Sequence, residues 1–297
     1  MLDFRISTFL ALCKTMSYTK TAILLNLTQP AVTQHIQYLE NQYQVKLFQY
    51  IGKTLYLTKQ GELLQKLATT MQADSYKVIE QLKKCEQEMQ KLTIGATLTI
   101  GEYALPQVLE QLAMEQPKTQ LTMYVENTQE LLKRLNDGEI DFAFIEGQFN
   151  KEDYSSMCFS KERFIAVCSP SHPFASARVS LEALLNEKLI IREKGSGTRD
   201  ILETVLQERS LKVTGFQTVT EIGNLNVIKQ FVEYELGITF LYYQAAKREL
   251  EEETLKQIDV IDFDVTREFH FVFLKNSIFE EKYISFFKYA RDIYTKI

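Results

Sequence analysis

Apolar positions in the first sixty residues recur every three or four places and then every two. Leu2, Phe4, Ile6, Phe9, Leu10, Leu12 and Cys13 put a hydrophobic face on a helix ending near Lys14. Ser17 or Thr19 caps a second, short helix carrying Ala22, Ile23 and Leu25, and Asn26 and Leu27 make a tight turn. Thr28 then opens a third helix as its N-cap, with Gln29 and Pro30 in a first turn that needs no intrahelical N–H partner. Ala31, Val32, Ile36 and Leu39 form its buried stripe. Gln29, Thr33, Gln34, His35 and Gln37 fall on the other face, a row of hydrogen-bonding side chains suited to reading a polar surface. Beyond a fading stretch from Asn41 to Gln44, Lys46 to Thr58 alternates like a β-hairpin with Gly52-Lys53 at its tip. Two short helices joined by a turn, a third behind them and a hairpin after them predict a winged helix-turn-helix, with Lys53 projecting from the wing toward a groove or phosphates.

From Lys59 to Lys91 there is no proline, and the only glycine is Gly61 near the start. Leu64, Leu67, Met71, Val78, Leu82, Cys85 and Met89 recur mostly at three or four, with Asp74 and Ser75 as a polar gap. One apolar stripe on a long helix predicts a two-helix contact and hence a homodimer.

The pattern then changes to strands alternating with helices. Strands are expected at 92–96, 119–126, 140–145, 163–169, 188–192, 216–221, 238–241 and 267–274. Helices are expected at 101–116, 128–136, 198–208, 224–236 and 279–296. A parallel α/β architecture in two similar lobes with a cleft between them is the economical reading. The expected fold class is therefore α+β multidomain: a winged helix-turn-helix over 1–58, a linker and dimerisation helix over 59–91, and a two-lobed α/β domain over 92–297. Lobe I would comprise 92–161 and 267–297, and lobe II 162–266.

Charge sharpens this division. The chain of 297 residues carries a net charge of −5, which alone argues against a nucleic-acid binder. Residues 1–60, however, hold six basic side chains against Asp3 and Glu40, a net of +4, leaving −9 for the remainder. A basic head on an acidic body fits a DNA-reading module joined to a domain with a different partner. The four cysteines show no C-x-x-C pairing and the three histidines are far apart, so no metal site, cofactor or disulfide framework is expected. The N-terminus lacks a continuous apolar core and no stretch of about 18 apolar residues occurs, so a cytoplasmic protein with no membrane partner is expected.

At Ser17 begins S-Y-T-K-T-A-x-x-L-x-x-T-Q-P-A-V-T-x-x-I-x-x-L-E, followed by L-F at Leu47 and L-T-x-x-G at Leu57. This run resembles the head of the LysR-type transcriptional regulators, and the resemblance extends over the whole chain. It implies base or phosphate contacts from Thr28, Gln29, Pro30, Thr33 and Gln34. It also implies antiparallel pairing of the linker helix with its mate, and a periplasmic-binding-protein-like body. Tyr50 stands where the family usually has Arg, Gln44 where it has Gly, and Thr21 where Ala is common, which leaves Lys53 more of the wing's work.

In open α/β sheets ligands sit beyond the carboxyl ends of strands, often on helix N-termini. Three stretches fall there. Gly95 to Tyr103 supplies Thr97 and Thr99; Glu126-Asn127-Thr128 precedes the next helix; and I-R-E-K-G-S-G-T-R, Ile191 to Arg199, joins a strand to a helix through two glycines. Small glycines let the amides of Ser196, Gly197 and Thr198 approach an anion, with two hydroxyls added. Glu146 is open to two readings, a cleft residue or a turn residue. Asn224 and Asn226 are read as helix caps, and Arg163 and Arg267 as ordinary surface or interlobe pairs. These loops resemble effector-site segments of the family, the third most closely those of the sulfur-assimilation and Calvin-cycle branch.

The expected function is that of a DNA-binding regulator whose body binds a small anionic metabolite. Its partners would be promoter DNA, that metabolite, a second copy assembling to a homotetramer, and RNA polymerase. A small-molecule-binding protein, or an α/β enzyme acting on an anionic substrate, are the alternatives. No G-x-S-x-G elbow, metal cluster or Ser/His/Asp set points to catalytic residues.

Overall fold

The computed structural model describes residues 3–84, 90–147, 149–261 and 263–296. The chain forms two compact units. The first runs through the linker helix and takes in Lys133–Ile140 and Leu274–Lys282; the second holds the rest of the body.

In the first unit, helices α1 (Phe4–Thr15), α2 (Tyr18–Leu24) and α3 (Gln29–Tyr43) precede the hairpin strands β1 (Phe48–Ile51) and β2 (Thr54–Leu57). Ser17 and Thr28 cap α2 and α3 as their sequence positions require, accepting from Lys20 N and Ala31 N. Phe9, Leu12, Ile36, Leu39 and Leu47 are fully enclosed and form one core with Leu55 and Ala68. The antiparallel ladder pairs Ile51 with Thr54 across the Gly52-Lys53 turn. Gln44 ends α3 with φ 57°, the left-handed conformation that favours glycine. Thr21 is buried and shares a hydrogen bond with Thr15 Oγ1 at 2.6 Å, which accommodates a hydroxyl where alanine would need none.

Glu40 fixes the wing to α3. Its buried carboxylate accepts from Leu47 N at 2.9 Å, Phe48 N at 3.5 Å and Lys46 Nζ at 2.6 Å. Helix α4 (Lys59–Lys84) leaves the wing directly. A Cβ at Gly61 would lie 2.2 Å from the Leu47 carbonyl oxygen, so only glycine lets α4 begin this close to the wing.

Two sequence expectations change along α4. Asp74 is no polar gap: it is buried, accepting from Ser277 Oγ at 2.8 Å and Ile278 N at 2.9 Å. Its partners lie two hundred residues away, where no local pattern shows them. The expected stripe also divides: Leu64 packs into the head core, whereas Leu67, Met71 and Leu82, with Leu63, are exposed on the helix surface. Cys85 and Met89 lie outside the described residues. Gln90 already belongs to the next strand, so the helical stretch expected to reach Lys91 ends earlier. No described helix is long and apolar enough to cross a membrane.

The second unit is built on a mixed sheet rather than the purely parallel one expected. Strands β3 (Gln90–Ala96), β4 (Thr119–Val125) and β5 (Phe142–Ile145) are parallel, separated by helices α5 (Pro106–Glu115) and α6 (Thr128–Asn136). Strand β6 (Tyr154–Cys168) is much longer than expected because its first half, Y-S-S-M-C-F-S-K-E, lacks an apolar run. Next come β7 (Lys188–Ile191), α7 (Gly197–Glu208), β8 (Thr218–Glu221), α8 (Leu225–Glu233), β9 (Thr239–Tyr242), α9 (Tyr243–Glu251), β10 (Val265–Leu274) and α10 (Glu280–Tyr294). Strand β10 pairs antiparallel with β5, and β9 antiparallel with β6. The order β9-β6-β10-β5-β3-β4 thus joins two α/β groups along two long strands, while β7 and β8 form a parallel pair beside β9. Apolar periodicity marks faces but not strand direction, which is why the mixed order was not legible.

Replacing Asp74 by Ala removes the acceptor of two bonds, one from a main-chain amide. Unfolding free energy in urea should fall by about 1–3 kcal/mol, with an unchanged far-UV spectrum before the transition.

Candidate functional site

On the first unit, the residues singled out at the start of α3 share one surface. Thr28, Gln29, Pro30 and Gln34 are exposed and Thr33 is half-buried, its hydroxyl donating to Gln29 O at 3.0 Å while its oxygen can still accept. Gln37 lies further along, and Lys53 stands exposed at the hairpin tip. His35 does not join this face. Its Nδ1 shares a hydrogen bond with Thr8 Oγ1 at 3.0 Å and its ring meets Phe4 edge-on, so it ties α3 to α1. Periodicity placed it wrongly because the partner helix decides which flank of a stripe is covered.

On the second unit, five strands end at one place. Thr97 follows β3, Asn127 and Thr128 lie just beyond β4, Glu146 follows β5, Arg192 follows β7, and Gly223 lies beyond β8. A cavity of about 220 Å³ opens there, with Thr97, Asn127, Glu146, Arg192, Ser196 and Gly197 on its wall. The structure therefore brings together Thr97, Asn127, Ser196 and Gly197 from three separate stretches. Thr99 and Thr198 are buried beside the wall instead of lining it. Asn127 also caps α6, accepting from Glu130 N at 3.0 Å. Ser196 is the N-cap of α7 but makes no side-chain capping bond, so the first amides of a twelve-residue helix that begins at the cavity wall lack a side-chain cap. Asn224 caps α8 as expected, whereas Asn226 accepts from Tyr103 Oη at 2.8 Å. Tyr103 lies on a π-helical turn, Ile100–Ala104, that precedes Pro106 and breaks the single helix expected over 101–116.

Glu146 is a cavity residue, not a turn residue. It is 2% exposed. Its main chain is pinned by Thr97 and Thr128: Glu146 N donates to Thr97 Oγ1 at 3.3 Å, and Thr128 Oγ1 donates to Glu146 O at 3.0 Å. Its Oε1 accepts from Thr99 Oγ1 at 3.2 Å, while Oε2 has no hydrogen-bond partner among the described residues. Burial raises its pKa to about 7, against the Thr99 hydrogen bond, the charge of Arg192 and the nearby Thr198 hydroxyl. Gly197 is explained by this side chain. A Cβ there would sit 3.0 Å from Glu146 Cγ and 3.2 Å from its carbonyl oxygen.

Arg192 is 7% exposed. It gives Nε and Nη2 to the two oxygens of Glu193, both at 2.8 Å, and leaves Nη1 buried without a partner among the described residues. Sequence reasoning did not single out Arg192. The available signal was its position, one cationic residue directly between the apolar run of β7 and the glycine-rich loop. A basic side chain, a helix N-terminus and several hydroxyls around an open cavity at strand ends are the chemistry that suits a small polar molecule.

A chain with a winged helix-turn-helix and a two-part α/β binding module is, as a class, a ligand-responsive DNA-binding protein. The family models give the class a name: residues 5–62 match the bacterial regulatory helix-turn-helix protein, lysR family, and residues 86–292 match the LysR substrate binding domain. The chain belongs to the LysR family of transcriptional regulators, and it is not an enzyme. It is 31% identical over 256 residues to the uncharacterized HTH-type transcriptional regulator YeiE of Escherichia coli, covering 86% of this chain and 85% of that one. It is 30% identical over 273 residues to the HTH-type transcriptional activator CmpR of Synechocystis, covering 90% and 88%. Over 294 residues it is 28% identical to CysL of Bacillus subtilis, covering 95% of each. Full-length BenM shares the fold with a TM-score of 0.60 at 19% identity, covering 100% of this chain and 97% of that one. The regulatory domain of Synechocystis CcmR in complex with 2-PG shares it with a TM-score of 0.63 at 22% identity, covering 70% and 99%.

The raised pKa of Glu146 has a thermodynamic consequence. Between about pH 4.5 and 7 the unfolded chain has lost this proton and the native chain retains it, so stability falls as pH rises through that window. The loss amounts to about 3 kcal/mol once pH exceeds both values. Glu146→Gln removes this contribution. Its melting temperature, compared with the parent from pH 5 to pH 8, should rise progressively relative to it.

Proposed function

We propose that this regulator reads promoter DNA with Thr28, Gln29, Pro30, Thr33 and Gln34 in the major groove and Lys53 at the wing. We further propose that a small anionic metabolite binds the cavity formed by Thr97, Asn127, Ser196 and Gly197, with Thr99 and Thr198 supporting its wall. The observation that carries the second claim is Arg192, a buried guanidinium on the cavity wall whose Nη1 has no hydrogen-bond partner among the described residues. A buried cationic donor without an acceptor costs free energy that a bound anion recovers. That the CcmR domain was solved with 2-PG supports the same reading, because the two share a fold.

In this reading residues 1–58 form the DNA-binding domain, 59–91 the linker and 92–297 the effector-binding domain. Leu63, Leu67, Met71 and Leu82 offer an apolar strip on α4 for a second copy, giving a dimer that assembles further to a tetramer in the cytoplasm. RNA polymerase is the partner that would turn a change of DNA geometry into a change of transcription. Effector and DNA are linked because the ligand favours one arrangement of the assembly over another by its differential affinity.

Two variants test the two halves separately. In gel-shift assays on the region upstream of its own and neighbouring genes, Gln29→Ala with Thr33→Ala should weaken specific binding at least about tenfold, since each good base contact discriminates by about 1–3 kcal/mol. Unchanged specific binding would sink the α3 assignment. In a thermal-shift screen of sulfur, nitrogen and central-carbon metabolites, Arg192→Ala should lose the ligand-induced stabilisation of the parent. A variant stabilised as strongly as the parent would remove Arg192 from the site.

A further inference from the structure

The geometry points to Glu146 as a proton-coupled specificity residue: as a neutral acid it donates a hydrogen bond from Oε2 to an oxygen of a small oxyanion held by Arg192, so binding requires a proton on the protein. This rests on reading the cavity as an anion site.

Three observations lead to it. The first is a pair of unsatisfied atoms at one cavity: Glu146 Oε2 and Arg192 Nη1, from two residues that line it, are buried with no hydrogen bond within 3.5 Å among the described residues, while the Thr198 hydroxyl lies close enough to the Glu146 carboxyl to lower its pKa. Buried polar atoms are nearly always satisfied, and two of complementary kind, an acid oxygen and a guanidinium nitrogen, at one place mark the outline of a missing partner. The second is confinement. The Glu146 main chain is held at both its amide and its carbonyl by Thr97 and Thr128, and Gly197 closes against Cγ, so the carboxyl has little room to swing away from an incoming anion. The third is the assignment of the two oxygens. Oε1 already accepts from Thr99, which leaves Oε2 as the atom available to carry a proton and present it.

A buried carboxylate and an oxyanion side by side repel, and a single proton shared between them removes the conflict. The charged groups around Glu146 leave it as the group that titrates. Arg192 and Glu193 form a bidentate pair on the wall. Burial works against the Glu193 carboxylate, yet the Arg192 hydrogen bonds hold its pKa below the usual range. Tyr242, packed near Glu146, has its pKa pushed well above the phenol range by burial and stays neutral. Glu126 is the remaining carboxylate on the wall. Glu146 itself, with a pKa raised by burial to about 7, changes its proton occupancy within the range where cells work.

Sulfate is the suitable probe because it keeps the same charge across this range, so any pH dependence belongs to the protein. Calorimetric titration of the full-length protein with sodium sulfate, at ionic strength fixed with sodium chloride, should show affinity falling about tenfold from pH 6 to pH 8, as the protonated fraction of Glu146 does. At pH 8 the heats in two buffers of different ionisation enthalpy should report uptake of nearly one proton per sulfate. Glu146→Gln, whose amide donates at every pH, should bind sulfate with a flat pH profile. Affinity that is flat or rises with pH in the parent, absence of proton uptake, or a slope that survives in Glu146→Gln would each overturn the proposal. The buffer comparison decides it on the parent alone should the variant not fold. Sulfate binding that is lost in Arg192→Ala but flat with pH in the parent would leave the anion site standing and remove only the proton coupling. No sulfate binding at any pH would remove both.

Discussion

A carboxylate taken out of water has to be satisfied, and three of them organise this protein. Glu40 receives two main-chain amides and a lysine, and the consequence is a wing fixed in register with the helix it flanks. Asp74 receives one amide and one hydroxyl, and the consequence is that the linker helix holds a segment from the far end of the chain. Glu146 receives one hydroxyl at 3.2 Å, and its other oxygen has no hydrogen bond within 3.5 Å among the described residues, with only the Thr198 hydroxyl nearby. The first two are complete and serve structure. The third is incomplete, and its surroundings, a half-bonded arginine and an uncapped helix N-terminus, are incomplete in the complementary sense. An incomplete set that persists in a folded core has a use other than stability.

The strands explain why the incomplete set is gathered at one point. Parallel strands β3, β4, β5, β7 and β8 all point their carboxyl ends the same way within their groups, and the first residues after each are the ones that cannot be paired within the sheet. Hydroxyls, an amide, a glutamate and an arginine occupy those places. The sheet therefore does not need a special loop to make a polar cavity; it needs only polar residues one or two positions past the last apolar one. The long strands β6 and β10 then join the two α/β groups that contribute the residues.

Legibility followed the range of the interaction. The three head helices, their caps and the hairpin were readable because each is decided by residues a few places apart, such as Thr28 with Ala31 or Gly52 with Lys53. Helix Thr128–Asn136 was readable for the same reason. Asp74, His35 and Glu146 were misread or left open because their partners lie far away in sequence. Helix Tyr243–Glu251 was missed because it begins directly after a strand and buries only Ala245 and Ala246, too little for a visible stripe. Of the cavity, the hydroxyl and glycine positions were visible as strand-end residues, but the two groups with the strongest electrostatics, Glu146 and Arg192, appear in sequence as single charges among many.

The head's charge is smaller in use than in count. Of its six basic side chains, Arg5 pairs with Asp3, Lys14 with Asp137 and Lys46 with Glu40, which leaves Lys20, Lys53 and Lys59 without an ion pair among the described residues. Each phosphate neutralised contributes roughly 0.9 to the slope of log affinity against log salt, so three cations give a slope of about 3 per head, modest for a DNA-binding protein. The α3 face proposed to read DNA adds only uncharged side chains from Gln29, Thr33 and Gln34, and Tyr50 stands exposed on the wing without a charge. A single head is then a weak binder whose selectivity exceeds its grip. Strong attachment has to come from heads held together, where the second contact is made at a high effective concentration. Under that condition a small change in the spacing of the heads alters affinity greatly, and a ligand in the body needs to favour one spacing by only a few kcal/mol to control the promoter.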